Sequence, residues 1–461
     1  MNWYKNITFE VPLFLCFFSY LLIGSLLTNL IYYRTCYNIL GQDEYLCNEL
    51  GKETNEKDVK RLETEVQLSG NIILMVMEMM QSLVPITTNM FISSWSDIYG
   101  RKPVLLLVLS GMTLSMVLYG ILICVKQLSP WLFLAGSIPA MLCGGLPTYL
   151  SVTLAYINDT STAESRGIRM AVFEAVMTVG MFIGTLSSSY LLYATNYQTC
   201  FFISAGLIGL GLLYTVFLLP ESLVFEELEE NTNQRVCHYK IITGIFETAF
   251  KKREGRQRAL LFLILAVLTA TNFVTNGERT VKFPFLREKL HWTLVKNNVF
   301  TSISMVLNMA STVAGVYFFY KLLDIQASLL CFLGLISNAM GSFFLGIAIN
   351  DCYIYGATSI GLFGTIVTPL LRTELGDFIP AQEMGKIFGL ISAIGGITSL
   401  AATSSYTFFY NATIEINTSL FNFISMGLYI ISAGIVLVIV VLERNLPEKG
   451  RGHEIEALYS H

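Results

Sequence analysis

The feature that most constrains this chain is the repetition of apolar runs long enough to cross a lipid bilayer. About 20 consecutive apolar residues span the hydrocarbon core, and such runs recur along the whole sequence with short polar breaks between them. They are predicted at 11–33, 67–93, 103–125, 131–157, 169–194 and 200–219, and again at 259–280, 297–320, 327–349, 354–372, 386–410 and 420–442. A helix satisfies its own backbone polar groups where no water is available. The expectation is therefore an all-α membrane protein with about twelve transmembrane helices in two six-helix halves. Composition agrees: of 461 residues, 54% are apolar and 13% charged, and the charged share is about half that of an ordinary soluble domain.

The first run is longer than a secretory leader's core and has no small-residue cleavage pattern behind it, so it reads as a retained helix. The expected organisation is an N-terminal half at 1–220, a cytosolic linker at 221–258, a C-terminal half at 259–443 and a cytosolic tail at 444–461. The linker opens acidic, with Glu226, Glu227, Glu229 and Glu230, and closes basic, with Lys251, Lys252, Arg253, Arg256 and Arg258.

Lys and Arg in short loops favour the cytosolic side. Arg101 and Lys102, Arg166 and Arg169, the linker's basic run, and Arg444, Lys449 and Arg451 all fall on one side, which sets both termini in the cytosol. Arg287, Lys289 and Lys296 fall on the other side, so the rule holds as a bias. That side also carries loop 34–66, with Cys36 and Cys47, and the glycosylation sequons that begin at Asn411 and Asn417. Oxidation there permits a Cys36–Cys47 bridge, with two free thiols as the alternative. Plasma membrane and endolysosomal membrane suit this layout equally. The net charge of −4, with basic residues scattered among loops, excludes a nucleic-acid surface; the expected surroundings are lipid and a small organic solute.

The halves repeat each other. Ala163-Glu164-Ser165-Arg166-Gly167 leads into one span and Ala381-Gln382-Glu383-Met384-Gly385-Lys386 into another; Leu219-Pro220-Glu221 and Leu446-Pro447-Glu448 each follow the last span of a half. Duplicated halves suit alternating access around a shared midplane site.

Between the second and third runs stands Ser93-Ser-Trp-Ser-Asp97-Ile-Tyr-Gly100-Arg101-Lys102. It resembles the loop signature of the major facilitator superfamily, Gly-x-x-x-Asp-x-x-Gly-Arg-Lys/Arg, with Ser93 in place of the first glycine. Gly100 permits a turn with positive φ, Asp97 can face a helix N-terminus, and Arg101 can hold a carboxylate, for which Asp159 is the expected partner. Asp97, Gly100, Arg101, Lys102, Asp159 and Arg166 are thus candidates for a conformational latch; the plainer reading is that Arg101 and Lys102 only enforce orientation.

Tyr156-Ile-Asn-Asp159-Thr-Ser161 with Glu164, Arg166, Arg169 and Glu174, together with Thr365-x-x-Thr368-Pro369-x-x-Arg372, resembles the proton-coupled folate transporter family, solute carrier family forty-six. The resemblance implies the superfamily's fold and a monomer as the functional unit. It gives Glu174 a role in proton coupling and Arg372 one in binding substrate and proton. One position departs from it: where that family carries a histidine on span seven, this chain has an apolar residue near Val274, and His238, His291, His453 and His461 all fall in loops or tails.

Ionisable groups at membrane depth are costly and by default mark a pathway. Glu78 lies about 11 residues into the second run, near the midplane at about 1.5 Å per residue. Glu174 lies closer to the cytosolic end. Burial would raise either carboxyl toward a range in which it can pick up and release a proton. The alternatives are a protonated Glu78 bonded to a neighbouring helix, and a Glu174 paired with Arg166 or Arg169. Arg372 offers a planar fork for a carboxylate or phosphate, or pairs with Glu374 or Asp377. Pro284, after Asn272, Asn276, Gly277 and Glu278, predicts a seventh helix broken near the outside.

No Gly-Lys-Ser/Thr phosphate loop, paired His and Cys metal spacing or Gly-x-Ser-x-Gly elbow is present, so an enzyme is not expected. The expected cofactor is none, with a proton as coupling ion. The leading reading is a proton-coupled symporter of a small organic anion; the alternatives are an uncoupled facilitative carrier and a non-transporting receptor or scaffold on the same fold.

Overall fold

The computed structural model describes residues 9–50, 57–161, 163–222, 257–323, 325–378 and 381–444. Among them every regular element is helical. In chain order these are α1 (Glu10–Arg34), α2 (Glu44–Glu49), α3 (Lys57–Tyr99), α4 (Arg101–Cys124), α5 (Phe133–Leu142), α6 (Gly145–Thr160), α7 (Ala163–Ala194), α8 (Tyr197–Phe217), α9 (Gln257–Leu290), α10 (Leu294–Gly315), α11 (Ala327–Gly346), α12 (Asp351–Gly361), α13 (Val367–Phe378), α14 (Ala381–Thr413) and α15 (Leu420–Arg444).

Eleven stretches among the described residues are long and apolar enough to cross a membrane. The run expected at 386–410 falls within α14, where several side chains lie outside the described residues and Ser392, Gly395, Gly396, Thr398, Ser399 and Thr403 dilute the apolar pattern. The linker from 223 to 256 and the tail from 445 onward also lie outside the described residues.

The helices are apolar on two faces, as a helix inside lipid requires. On α4 the inner face buries Leu105, Val108, Leu109, Met112, Met116 and Tyr119, while Leu107, Leu114 and Ile121, each two turns from the next, stay exposed in one stripe.

The described residues form two compact units that do not divide at a single point in the chain. Unit 1 draws on the described residues within Met1–Gln234, Lys282–Val306 and Asn411–Ile416, and unit 2 on those within Arg235–Val281, Leu307–Tyr410 and Asn417–His461. In unit 1, α1 packs on α7 and α8, and α4 on α8, α5 and α6. The α1–α7 contact depends on Gly180 and Gly184, four residues apart: a Cβ on Gly180 would lie 3.0 Å from the Phe14 carbonyl, and one on Gly184 would collide with that of Phe18. Small residues at this spacing let membrane helices approach at backbone distance. In unit 2, α11 packs on α15, α12 and α13 over a core that includes Leu260, Ile264 and Val267 of α9, with Leu335, Leu371 and Val436.

Two spans are interrupted. The stretch Pro130–Ile157 divides between α5 and α6, where Gly144 (φ +89°) and Gly145 (φ +58°) adopt a conformation costly for any residue with a Cβ. The stretch Asp351–Leu375 divides between α12 and α13 at a tight turn, Leu362–Ile366. By contrast, α9 runs through Pro284 to Leu290 without a break, which corrects the expectation of a broken seventh helix. A proline removes one intrahelical bond, and neighbouring packing can hold the helix across it.

Candidate functional site

The turn between α3 and α4 is a single residue, Gly100, at φ +106° and ψ 156°. Its conformation favours glycine, and a Cβ would lie 2.5 Å from Oε2 of Glu221, so that carboxylate would have to shift to admit one. That carboxylate occupies the N-terminus of α4, accepting from the backbone N–H of Arg101 at 2.8 Å and of Lys102 at 3.1 Å. The first N–H groups of a helix have no partner within it and carry the positive end of its dipole, so a carboxylate is well placed there.

The side chains complete a knot. Arg101 Nε donates to Asp159 Oδ2 at 2.9 Å, and its terminal nitrogen donates to Ser96 Oγ at 2.7 Å. Lys102 Nζ donates to the Val216 carbonyl at 2.8 Å, Tyr156 to the Pro220 carbonyl at 3.2 Å, and Ser222 Oγ to Asp159 at 3.4 Å. The ends of α3, α4 and α6 and the chain leaving α8 are thereby tied together within unit 1. Of the six residues expected in a latch, Gly100, Arg101, Lys102 and Asp159 meet here; the side chains of Asp97 and Arg166 lie outside the described residues. The position at the helix N-terminus that the sequence suggested for Asp97 is filled at α4 by Glu221. The Leu219-Pro220-Glu221 repeat marked that residue, but nothing in its spacing told that it returns to Gly100.

A second polar network in unit 1 was not legible in the sequence. Arg287, from the segment Lys282–Val306, is buried and ion-paired with Glu63 of α3. Arg287 also donates to Asn29 Oδ1 at 2.8 Å, Asn29 donates to Tyr197 at 2.6 Å, and Thr64 donates to Glu288 at 3.0 Å. Tyr32 donates to Asn71 at 2.6 Å. Asn71 donates in turn to Asn411 Oδ1 at 3.0 Å, and Asn411 Nδ2 donates to the Leu68 carbonyl at 3.1 Å. The sequon amide of Asn411 is thus engaged at both its oxygen and its nitrogen. That of Asn417 sits in an exposed turn, its oxygen accepting from the Ser419 N–H at 3.0 Å. Cys36 and Cys47 form a disulfide, with Cα atoms 5.8 Å apart.

The three charges expected at the transport site are all exposed: Glu78, just after buried Met75 and Met77, on α3, Glu174 on α7, and Arg372 on α13. Arg372 and Glu374 stand two positions apart on one helix, a spacing at which side chains do not face each other, and Glu374 is buried. Arg169 donates to the Thr160 carbonyl at 3.1 Å and to its hydroxyl at 3.0 Å. In unit 2, Val274 is fully buried in the apolar core. One turn further along α9, Glu278 is half-buried and accepts from Ser342 at 3.0 Å. It is an in-span carboxylate that the sequence reading placed beside the expected break at Pro284.

A multi-span helical chain, duplicated in sequence pattern and carrying an ion pair at the Gly100 turn, has the architecture of a membrane transporter of the two-half kind. The chain belongs to the Major Facilitator Superfamily, whose model matches residues 13–403; it is a multi-pass membrane protein and a transporter, not an enzyme. Within that family it is similar to solute carrier 46 proteins. It is 29% identical to a Drosophila melanogaster protein named a probable peptidoglycan muropeptide transporter, across 91% of this chain and 82% of that one. It is 22% identical to the Bos taurus proton-coupled folate transporter, across 95% and 93%. Its fold is also that of the human organic anion transporter MFSD10 in its crystal structure, with a TM-score of 0.62 at 15% identity, covering 93% of this chain and 97% of that chain.

Proposed function

We propose that this protein is a proton-coupled symporter that moves a small organic anion by alternating access. The observation that carries the reading is a set of carboxylates within membrane-spanning stretches: Glu78, Glu174 and Glu278. Charge is costly there and marks an ion or substrate route. The name of the bovine relative points the same way. Arg372 holds the anionic end of the substrate through its fork of donors. The knot of Arg101, Asp159 and Glu221 biases which face is open, without touching substrate.

The test is uptake by cells or proteoliposomes: it rises as the outside is acidified and collapses with a protonophore. Changing the coupling carboxylate to glutamine abolishes accumulation against a gradient and preserves exchange, because glutamine mimics the protonated state. Arg372→Ala weakens substrate binding by about 1.5 to 3 kcal/mol, the cost of a charge-assisted hydrogen bond. Saturable uptake indifferent to pH and protonophore would favour the second reading, an uncoupled carrier. The observation behind that alternative is Val274, an apolar core residue where the folate transporter family holds a histidine.

A further inference from the structure

Beside the disulfide, unit 1 contains a cavity of about 410 Å³, within the size range of small-molecule sites, about 300 to 1,000 Å³. Its floor includes two buried guanidinium groups, Arg34 and Arg287, each 4% exposed. They differ in one respect. Arg287 is neutralised by Glu63. Arg34 donates only to the carbonyls of Lys126 and Ile123, its Nε is buried without a hydrogen-bond partner, and no carboxylate among the described residues pairs with it. A buried charge without a counter-charge is costly. The one acidic group among the described lining residues, Glu44, acts on Arg34 only from a distance; its carboxylate is paired at the mouth with Lys126 at 3.6 Å, with side chains 52% and 76% exposed. The walls are aromatic and polar, with Tyr33, Tyr37, Tyr197 and the exposed amide of Asn48.

We propose that this cavity binds a small organic acid, with its carboxylate at Arg34 and its body against the tyrosines. It is a second site, separate from Arg372 and independent of the coupling reading above. The reasoning is one of complementarity. A cation held by carbonyls alone leaves room for an anion, and three tyrosines with side-chain amides suit an aryl or hydroxylated body better than a bare inorganic ion.

The test uses the purified full-length chain in detergent, with 4-fluorophenylacetate as probe and its fluorine NMR linewidth as readout. Saturable broadening is expected for wild type, at least tenfold weaker binding for Arg34→Gln, and none for Asn48→Trp, which fills the mouth from an exposed position. Melting curves check that both variants are folded, and if Arg34→Gln is not, Asn48→Trp decides alone. The uncharged 4-fluorophenylacetamide should not bind, and Arg372→Ala should bind the acid as wild type does. Any of these outcomes overturns the proposal: folded Arg34→Gln or Asn48→Trp binding as wild type, the amide binding as tightly as the acid, or inorganic phosphate displacing the probe at equal concentration. Loss of binding in Arg372→Ala would place the probe at the transport site and equally overturn it. Uptake indifferent to pH would sink the symport reading and leave this one standing.

Discussion

Unit 1 holds two ion pairs that look alike on paper and differ in origin and in environment. Arg101 and Asp159 are 58 residues apart, with side chains 11% and 20% exposed. Arg287 and Glu63 are 224 apart, with side chains 4% and 10% exposed. The first is anchored by a local turn at Gly100 and by Glu221 on the adjoining helix N-terminus. The second has no local signature and is bound into a web of side-chain amides and hydroxyls. A pair reached by water can be remade at small cost, which is what a switch needs. A buried pair is costly to leave half-made. On the proposed function, the comparison predicts switching at the Arg101 end and holding at the Arg287 end.

The sharpest way to break that assignment is Glu63→Ala. It leaves Arg287 buried without its partner and should lower stability by about 3 to 5 kcal/mol, read as a fall in melting temperature of the purified protein. Replacing both residues, Glu63→Leu with Arg287→Met, should recover most of the loss. If Glu63→Ala melts like wild type, the pair is not a holding element.

Gly100→Ala comes next. A φ of +106° and a Cβ 2.5 Å from Glu221 together should cost about 1 to 3 kcal/mol and slow transport turnover. Glu221→Gln keeps an acceptor but loses the charge at the α4 N-terminus, an effect of about 1 kcal/mol. Initial-rate measurements should show reduced turnover with substrate affinity unchanged, whereas a changed KM alone would mean that this end touches substrate. Asp159→Asn, at a part-exposed pair, should cost under about 1 kcal/mol in stability yet lower turnover in the same way.

The smallest expected effect separates the two sequons. Asn417→Gln should remove the glycan, seen as a gel shift, with stability changed by less than about 0.5 kcal/mol. Asn411→Gln should leave the glycan and cost about 1 kcal/mol through its lost hydrogen bonds to Asn71 and Leu68. A glycan that survives Asn417→Gln would reverse this assignment.

Much of the architecture was legible because lipid imposes a coarse rule. Apolar runs announced the spans, and Gly100-Arg101-Lys102 announced a turn whose backbone conformation only glycine adopts without strain. One expectation failed where a local signal met packing. Pro284 suggested a break, yet α9 continues to Leu290. Asn411 and Asn417 carry equivalent sequons, yet one amide is engaged by α3 and the other is exposed.

The sequence by itself determined that the chain spans a membrane in repeated helices, that a tight turn lies at Gly100, and which charges stand within the spans, because each follows from side-chain chemistry over a few neighbouring residues. Only the tertiary structure decided that Glu221 caps α4, that Arg287 meets Glu63, and that Arg34 is buried against the carbonyls of Ile123 and Lys126 with no carboxylate paired to it among the described residues. These contacts join positions tens to hundreds of residues apart. Their partners are selected by which helix faces pack together, and no periodicity or spacing along the chain records that choice.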